Sequence, residues 1–266
     1  MPSMITISEI LTLPKQPIIY PESDGKPIAD NSIQFSYITT FKGGFDIMYA
    51  DDSNIFIAGD MLWYPVEGHP QIRTAPDVMI ALGRPKHDRG CYKQWEEGYA
   101  PPQVVFEIWS PKNTETEKDE KFNFYNHYGV KEFYAFDHDT GELEGWVREN
   151  KDLEPVLNMQ NWRSPLLDVK FVLKDKSLKL YHPDDQPFLS YIELYQRWQD
   201  SEKKRQRKAE IWEIAEARQI AEEKTRQDAK ARKVAEERSK QSEQQVRQAE
   251  ELILQLQEQL KQAQTS

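Results

Sequence analysis

Two carboxylates stand in or beside apolar runs, where a charged side chain needs a partner. Asp77 directly precedes the run 78–80, and Glu107 lies inside the run 104–109. Burying a carboxylate is costly unless it is paired, hydrogen-bonded or bound to a metal. Glu107 therefore indicates a functional or metal-binding group, whereas Asp77, which follows a proline, can equally be a turn or capping residue.

Lys121 completes a set of side chains that suits phosphodiester hydrolysis. This reaction needs an activated water, neutralisation of charge on the phosphate and help for the leaving oxygen. Asp77 and Glu107 on neighbouring strands can hold Mg²⁺ or Mn²⁺ through oxygen ligands, and an ammonium group can orient the water or stabilise the phosphate. Taken alone, Lys121 can also be an ordinary surface lysine on a helix.

The segments around these residues alternate between strand and helix patterns. A helix is predicted over 117–128 with Gly129 at its C-terminal cap, and residues 35–49 fit either a helix or a strand broken by two glycines. One helix across a mixed sheet gives an α/β domain that ends near Leu189. Apolar runs predict the short strands of this sheet at 54–63, 72–82, 103–110, 132–137, 143–147, 153–157, 169–173 and 177–181.

The chain is predicted to have three parts. Residues 1–34 contain one short amphipathic candidate, 5–13, and several prolines, so an irregular N-terminal lead-in is expected. Residues 35–190 form the α/β domain, with a long surface loop over 83–102. Residues 191–266 are rich in Glu, Lys, Arg, Gln and Ala and lack Gly and Pro, so they are predicted to form one long charged helix.

The C-terminal helix has the pattern of a coiled coil. Residues 215–226 recur as 229–240, an offset of two heptads. A self-associating helix, able to form a homodimer, is favoured over a single solvated or partly disordered helix. The apolar seam near the end consists of Val246, Ala249, Ile253, Leu256, Leu260 and Ala263. Polar residues interrupt the pattern before it, at Lys224, Gln227, Arg238 and Gln241.

Composition excludes several classes of protein. The chain of 266 residues has one cysteine, Cys91, so it contains no internal disulfide, and none of its apolar runs is long enough to span a membrane. The N-terminus lacks the basic and apolar regions of a signal peptide. A cytoplasmic location without a membrane partner is therefore expected.

Charge is unevenly spread along the chain. Residues 201–266 contain 15 Lys+Arg and 13 Asp+Glu, which leaves 20 basic and 32 acidic residues in 1–200. A net charge of about −12 in that part has the wrong sign for a domain that grips nucleic acid with a broad basic face, but it suits a site that collects divalent metal. The basic cluster 203–208 fits either a contact with a DNA backbone or a solvated helix face.

The middle of the chain resembles a known bacterial family. The segments PDVMIALG, VVFEIWSP, KFNFY and GVKEFYAFD, within residues 55–140, are similar to restriction-endonuclease-like proteins of the PD-(D/E)xK nuclease superfamily. The resemblance implies a mixed sheet flanked by helices and a Mg²⁺-dependent endonuclease that acts on DNA. It also implies that Asp77, Glu107 and Lys121 are catalytic and that Asp77 and Glu107 bind the metal.

The sequence departs from the superfamily pattern at two places. A lysine usually lies two residues after the glutamate, where this chain has Trp109, and the family supplies the lysine from the following helix at Lys121. A further glutamate expected from the first helix has no match in residues 30–60. The family's acidic residue after the Glu-x-x-Ser-Pro motif falls on Glu117, and no role is assigned to it.

The leading hypothesis is a metal-dependent endonuclease that hydrolyses DNA and dimerises through its C-terminal helix. The alternative is a catalytically inactive binding or scaffold protein that keeps the nuclease fold and works through its coiled coil. Trp109 and the missing glutamate favour this alternative, whereas the coexistence of Asp77, Glu107 and Lys121 favours the nuclease. A third hypothesis is a metal-dependent hydrolase of another phosphate ester.

Overall fold

A six-stranded mixed sheet lies at the centre of the α/β part of the chain. This computed structural model describes residues 18–264, so the predicted amphipathic segment 5–13 lies outside the described residues. The chain divides between Tyr195 and Gln196 into two compact units. Residues 18–31 contain neither helix nor strand, and the sheet with its helices follows them.

Three helices and ten strands follow one another along the described residues. The helices are α1 (Ser32–Met48), α2 (Glu115–Tyr128) and α3 (Tyr191–Gln264). The strands are β1 (Ile55–Gly59), β2 (Trp63–Tyr64), β3 (Val78–Leu82), β4 (Tyr92–Lys93), β5 (Val104–Trp109), β6 (Glu132–Asp137), β7 (Glu142–Glu149), β8 (Asp152–Pro155), β9 (Lys170–Lys174) and β10 (Ser177–Tyr181). The main sheet has the order β1-β3-β5-β6-β7-β8, in which only β5 and β6 are parallel neighbours.

Helices α1 and α2 cover opposite faces of the main sheet. Phe106 of β5 packs with Phe45 of α1 in one core cluster, whereas Val105 packs with Tyr125 of α2 in the other. Successive side chains of a strand point to opposite faces of its sheet. Glu107 therefore lies on the face that α2 covers.

Helix α1 settles the choice between helix and strand for residues 35–49. The side chain of Asn31 accepts hydrogen bonds from the backbone N–H groups of Ile33 and Gln34, which satisfies donors that a helix start leaves free. Gly44 lies where α1 meets the ring of Phe188, and a side chain at this position would overlap the ring. This close approach explains a glycine in the interior of the helix.

Helix α2 begins with a capping box. The Thr114 hydroxyl accepts a hydrogen bond from the Glu117 N–H at 3.2 Å, and the Glu117 carboxylate accepts one from the Thr114 N–H at 2.8 Å. This arrangement moves the helix start to Glu115, ahead of the predicted 117, and gives Glu117 a structural role. Gly129, with φ of 91°, ends the helix in the left-handed conformation as predicted.

Two predicted strands are longer than the strands that the structure contains. The pattern over 54–63 covers β1, which stops at Gly59 because Asp60 adopts a left-handed backbone conformation with φ of 50°. The pattern over 72–82 covers β3, which begins only at Val78. Trp63, the last residue of the first pattern, belongs instead to β2. Strand β2 pairs with β4, which lies inside the predicted loop 83–102.

Helix α3 runs from Tyr191 to Gln264, where the sequence predicted a long charged helix. Most of its described side chains beyond Gln196 are exposed. Among the described residues, no helix combines the length and the apolar content that crossing a membrane requires. The prediction of a mixed α/β fold followed by a long C-terminal helix is confirmed.

Candidate active site

Glu107 is a charged residue at the centre of a buried strand. Its side chain is only 1% exposed. The Nζ of Lys121 donates a hydrogen bond to its Oε2 at 2.7 Å, and the hydroxyl of Tyr125 donates one to its Oε1. Both donors come from α2, one helical turn apart. Helix α2 therefore supplies the partners that a buried carboxylate requires.

Asp77 lies opposite Glu107. Val78 of β3 pairs with Phe106 of β5 in the antiparallel register, and the next pair outward is Asp77 with Glu107. Directly opposed residues of such a pair have Cβ atoms about 4.5–5.5 Å apart. The Oδ2 of Asp77 also accepts a hydrogen bond from the N–H of Ile108 at 2.6 Å, which fixes the carboxyl group beside β5.

Burial gives the Asp77 carboxyl an unusual affinity for protons. Burial disfavours the carboxylate and raises the pKa of Asp77 to about 8, and the negative charge of Glu107 acts in the same direction. Lys121 and the N–H of Ile108 oppose this shift without cancelling it. The Asp77 carboxyl therefore keeps its proton up to about neutral pH while no metal cation lies beside it.

Lys121 reaches the site from the middle of α2. Its Nζ lies 2.7 Å from Glu107, 3.4 Å from the carbonyl oxygen of Ala75 and 5.7 Å from the centre of the Trp109 ring. Burial disfavours the ammonium, but Glu107 and Asp77 outweigh that effect and raise the pKa of Lys121. The lysine is therefore held in its charged form.

Trp109 lies two residues after Glu107, where the sequence departs from the pattern that it resembles. Its side chain is buried in the core cluster on the α2 face of the sheet. The ammonium of Lys121 lies over its ring, and a cation above an indole face is attracted to it. The structure thus brings a lysine to Glu107 from the helix and leaves the strand position apolar.

Asp60 is an acidic residue of the site that the sequence did not single out. Gly59 of β1 pairs with Val78 of β3, so the next pair is Asp60 with Asp77, and the backbone N–H of Asp60 donates hydrogen bonds to the carbonyl groups of Pro76 and Asp77. Burial raises the pKa of Asp60 to about 6, and the nearby negative charge of Asp24 acts in the same direction to a smaller extent. Its place beside Asp77 follows from the strand pairing, which the apolar pattern of β1 does not reveal.

The first helix brings an amide to the site instead of the expected glutamate. Gln34 of α1 is buried, and its Nε2 donates a hydrogen bond to the carbonyl oxygen of Ile108 at 2.8 Å. Helix α1 contains no glutamate, and its one acidic residue, Asp46, pairs with Lys42 at 2.5 Å. Gln34 supports the end of β5 from the opposite face of the sheet.

These residues line one cleft of about 780 Å³. Asp60, Asp77, Glu107 and Lys121 all face it. Basic side chains that also line the cleft are Lys26, Arg73 and Lys112, and further acidic ones are Asp24, Asp30, Glu117 and Glu120. The cleft thus combines a group of carboxylates with several separate cations.

The site offers carboxylate oxygens, which are the ligands that Mg²⁺ and Mn²⁺ prefer. Glu107 lies on β5, Asp77 directly precedes β3 and Asp60 directly follows β1. In residues 18–264, however, no group of three or more His, Cys, Asp or Glu side chains is placed so that it could hold a metal ion. An ion held here would keep several waters, as Mg²⁺ usually does.

Comparisons with known proteins find similar solved structures and a matching family model. A crystal structure described as a putative nuclease belonging to DUF820 from Anabaena variabilis ATCC 29413 shares 14% sequence identity with the chain. The comparison covers 61% of this chain and 89% of that chain, with a TM-score of 0.38. None of the curated proteins matches the chain.

A family model matches the region that contains the site. Residues 45–174 match the Uma2 family, whose description is "Putative restriction endonuclease". This range includes Asp60, Asp77, Glu107 and Lys121, whereas α3 lies outside it. The resemblance found in the sequence is confirmed, because residues 45–174 are similar to the Uma2 family.

Proposed function

We propose that the protein is a metal-dependent endonuclease that hydrolyses phosphodiester bonds of DNA. The observation that carries this proposal is the convergence of Asp77, Glu107 and Lys121 on one cleft, with the ammonium 2.7 Å from the Glu107 carboxylate. The match of residues 45–174 to a family described as a restriction endonuclease supports the same reaction.

Asp60, Asp77 and Glu107 would hold the divalent cation, Mg²⁺ or Mn²⁺. The ion supplies positive charge to the phosphate and acidifies a bound water when it is present. The hydrogen bonds that Asp77 and Glu107 accept fix their carboxylates beside the cleft before any ion binds. Such preorganisation reduces the rearrangement that binding requires.

Lys121 is placed to act on the phosphate or on the attacking water. Its ammonium group has three N–H donors, of which one contacts Glu107 and another points to the carbonyl oxygen of Ala75. The remaining donor is available to the cleft that Lys121 lines. A hydrogen bond from this cation stabilises negative charge that develops on the phosphate oxygens.

The cations around the carboxylates suit a substrate with several phosphates. Arg73, Lys26 and Lys112 line the same cleft as the carboxylates. Lys112 is 71% exposed although it pairs with Asp30 at 3.0 Å, so its ammonium can also reach a phosphate. Contacts of this kind position a nucleic-acid backbone without reading its sequence.

Cleavage of supercoiled plasmid in the presence of Mg²⁺ or Mn²⁺ tests the proposal. The wild type is expected to nick the plasmid, and Glu107→Gln and Lys121→Met are expected to abolish nicking. Lys118→Met is the matched control, because Lys118 lies on the same helix and pairs with the exposed Glu115. Circular dichroism of each variant would verify that the helices remain.

The same experiment separates the nuclease from its alternatives. Equal nicking by the wild type and both site variants would assign the cleavage to a contaminant or to another site. A well-folded wild type that binds DNA but leaves it intact with either metal would favour the inactive binding protein. Hydrolysis of a small phosphate ester without plasmid nicking would favour the third hypothesis.

A further inference from the structure

The exposed helix α3 presents a regular seam for a partner helix. Its 74 residues correspond to a rod of about 110 Å at 1.5 Å per residue. Ile211, Ile214, Val246 and Ile253 are each more than half exposed, although apolar residues of this size usually find burial. A helix gains most of its stability when its apolar face packs against another element. Within one chain, these four side chains remain more than half exposed.

These apolar residues belong to one heptad frame, in which Lys224, Gln227, Arg238 and Gln241, expected from the sequence to interrupt the seam, each lie one position beside it. Steps of three and four residues lead from Ile211 and Ile214 to Val246, Ala249 and Ile253. The positions between them are mostly small, at Ala221, Thr225, Ala235, Ser239 and Ser242. Apolar residues thus occupy both ends of the frame, and small residues let two helices approach along its middle.

We propose that this seam pairs α3 with the α3 of a second copy of the chain, in parallel and in register. A parallel arrangement opposes each seam residue with itself, so Ile211, Ile214, Val246 and Ile253 each meet their own copy. The dimer does not depend on the proposed nuclease activity.

The charges beside the seam favour the parallel direction. One flank carries Glu222, Glu236, Glu243 and Glu250, and the other carries Lys224 and Arg238 together with Glu210 near the start of the frame. A parallel pair sets one flank against the other, so that Arg238 faces Glu243 of the second copy. An antiparallel pair sets each flank against itself and therefore opposes acids with acids and bases with bases.

Three seam positions carry charged residues, Arg218, Asp228 and Arg232, and each has an opposite charge within reach in the proposed pair. Arg218 turns towards Glu222, with its Nε 3.1 Å from Oε1, which takes its charge to the side of the seam. Asp228 and Arg232 occupy consecutive seam positions, so Arg232 of one copy can pair with Asp228 of the other. Polar seam residues of this kind weaken a coiled coil but specify its register.

Light scattering of the full chain tests the association. The wild type is expected to have the mass of a dimer. Ile253→Asp is expected to halve that mass, because it replaces an apolar seam residue with a carboxylate that faces its own copy and has no basic seam residue beside it. Leu254→Asp is the matched control, since Leu254 is a neighbouring exposed residue outside the seam and its variant should remain dimeric. A monomeric wild type, or the same mass for both variants, would overturn the proposal.

Disulfide cross-linking tests the direction and register. Ser242→Cys adds a thiol within the seam, and Gln241→Cys adds one beside it on the solvent side. Oxidation is expected to link Ser242→Cys into a covalent dimer and to leave Gln241→Cys and the native chain, whose Cys91 is buried, mostly unlinked. Equal linking of the two variants, or a dimer in which Ser242→Cys does not link, would overturn the parallel, in-register arrangement.

Discussion

The Nζ of Lys121 lies 2.7 Å from the Oε2 of Glu107, and this ion pair joins helix α2 to the centre of the main sheet. Glu107 is 1% exposed and the Lys121 side chain 28%, so water screens the pair poorly. Removing one partner of a buried pair leaves the other charge uncompensated. The same contact that places an ammonium in the cleft therefore also stabilises the fold.

Lys121→Met is expected to lower the free energy of unfolding by about 3 kcal/mol, because it leaves the Glu107 carboxylate buried without its cation. Urea denaturation measures this change. Lys118→Met, which removes a surface pair with Glu115, should cost about 0.5 kcal/mol or less. In a Glu107→Gln background, Lys121→Met should lower the free energy of unfolding clearly less than in the wild type. An equal loss in both backgrounds would show that the unpaired Glu107 carboxylate does not cause the destabilisation.

Asp60→Asn is expected to weaken Mn²⁺ binding about tenfold or more, because it removes one of the three carboxylates proposed to hold the ion. Asparagine accepts the left-handed conformation that Asp60 adopts, so the fold should persist. Isothermal titration calorimetry with Mn²⁺ measures the affinity independently of cleavage.

Glu120→Gln is the control for Asp60→Asn. Glu120 lines the same cleft but lies on α2, outside the group of Asp60, Asp77 and Glu107, so its variant should bind Mn²⁺ like the wild type. Unchanged binding by Asp60→Asn would remove Asp60 from the metal site. A wild type without Mn²⁺ affinity would contradict the metal-dependent function as a whole.

The sequence was sufficient to indicate a functional or metal-binding role for Glu107, because the cost of burying its charge can be inferred from the apolar strand that contains it. A glutamate inside a continuous apolar run implies a partner wherever the strand lies in the sheet. Helix α2 was similarly predictable, since Gly129 and the residues around Thr114 determine its ends through local hydrogen bonds. The resemblance to a family then added Lys121, which no local pattern distinguishes from other helix lysines.

Asp60 and Gly44 could not be predicted because their roles depend on residues distant in the chain. Asp60 joins the site through the pairing of β1 with β3, and register is set by tertiary packing as well as by pattern. Gly44 is explained by the ring of Phe188, which lies far along the sequence. The apolar run 54–63 misled the strand prediction for a similar reason, since Trp63 and Tyr64 are buried by pairing with β4.

Glu132→Gln is expected to make stability less dependent on pH. Glu132 is buried and accepts hydrogen bonds from Ser164, Tyr134 and the N–H of Leu166, yet burial outweighs them and raises its pKa above 4.5. A raised pKa means that the folded state holds the proton more tightly than the unfolded state. The stabilisation is complete below the unfolded pKa and is lost as pH rises through the folded pKa.

Urea denaturation from about pH 4.5 to about pH 8 measures this difference. The stability of Glu132→Gln relative to the wild type should increase with pH over this range, because only the wild type acquires a buried charge. Glu154→Gln is the control, since Glu154 is exposed on β8, and its relative stability should stay nearly constant. A pH-independent difference for Glu132→Gln would mean that Glu132 ionises equally in both states.

Gly44→Ala and Gly43→Ala are expected to change stability in opposite directions. Both glycines lie inside α1, where alanine is favoured over glycine by up to about 1 kcal/mol. A Cβ at Gly43 meets no atom within 4 Å, so Gly43→Ala should stabilise the protein. A Cβ at Gly44 overlaps the Phe188 ring, and overpacking of this kind costs about 1–3 kcal/mol.

Thermal denaturation of the two variants would show whether contact with Phe188 decides the difference. Phe188→Ala removes the Cγ and the ring atoms that a Cβ at Gly44 would meet, so Gly44→Ala should lower stability less in that background. Gly43→Ala should have the same effect in both backgrounds, because its Cβ faces open space. A Gly44→Ala variant as stable as Gly43→Ala in the wild-type background would mean that the ring moves aside freely and that α1 does not need a glycine there.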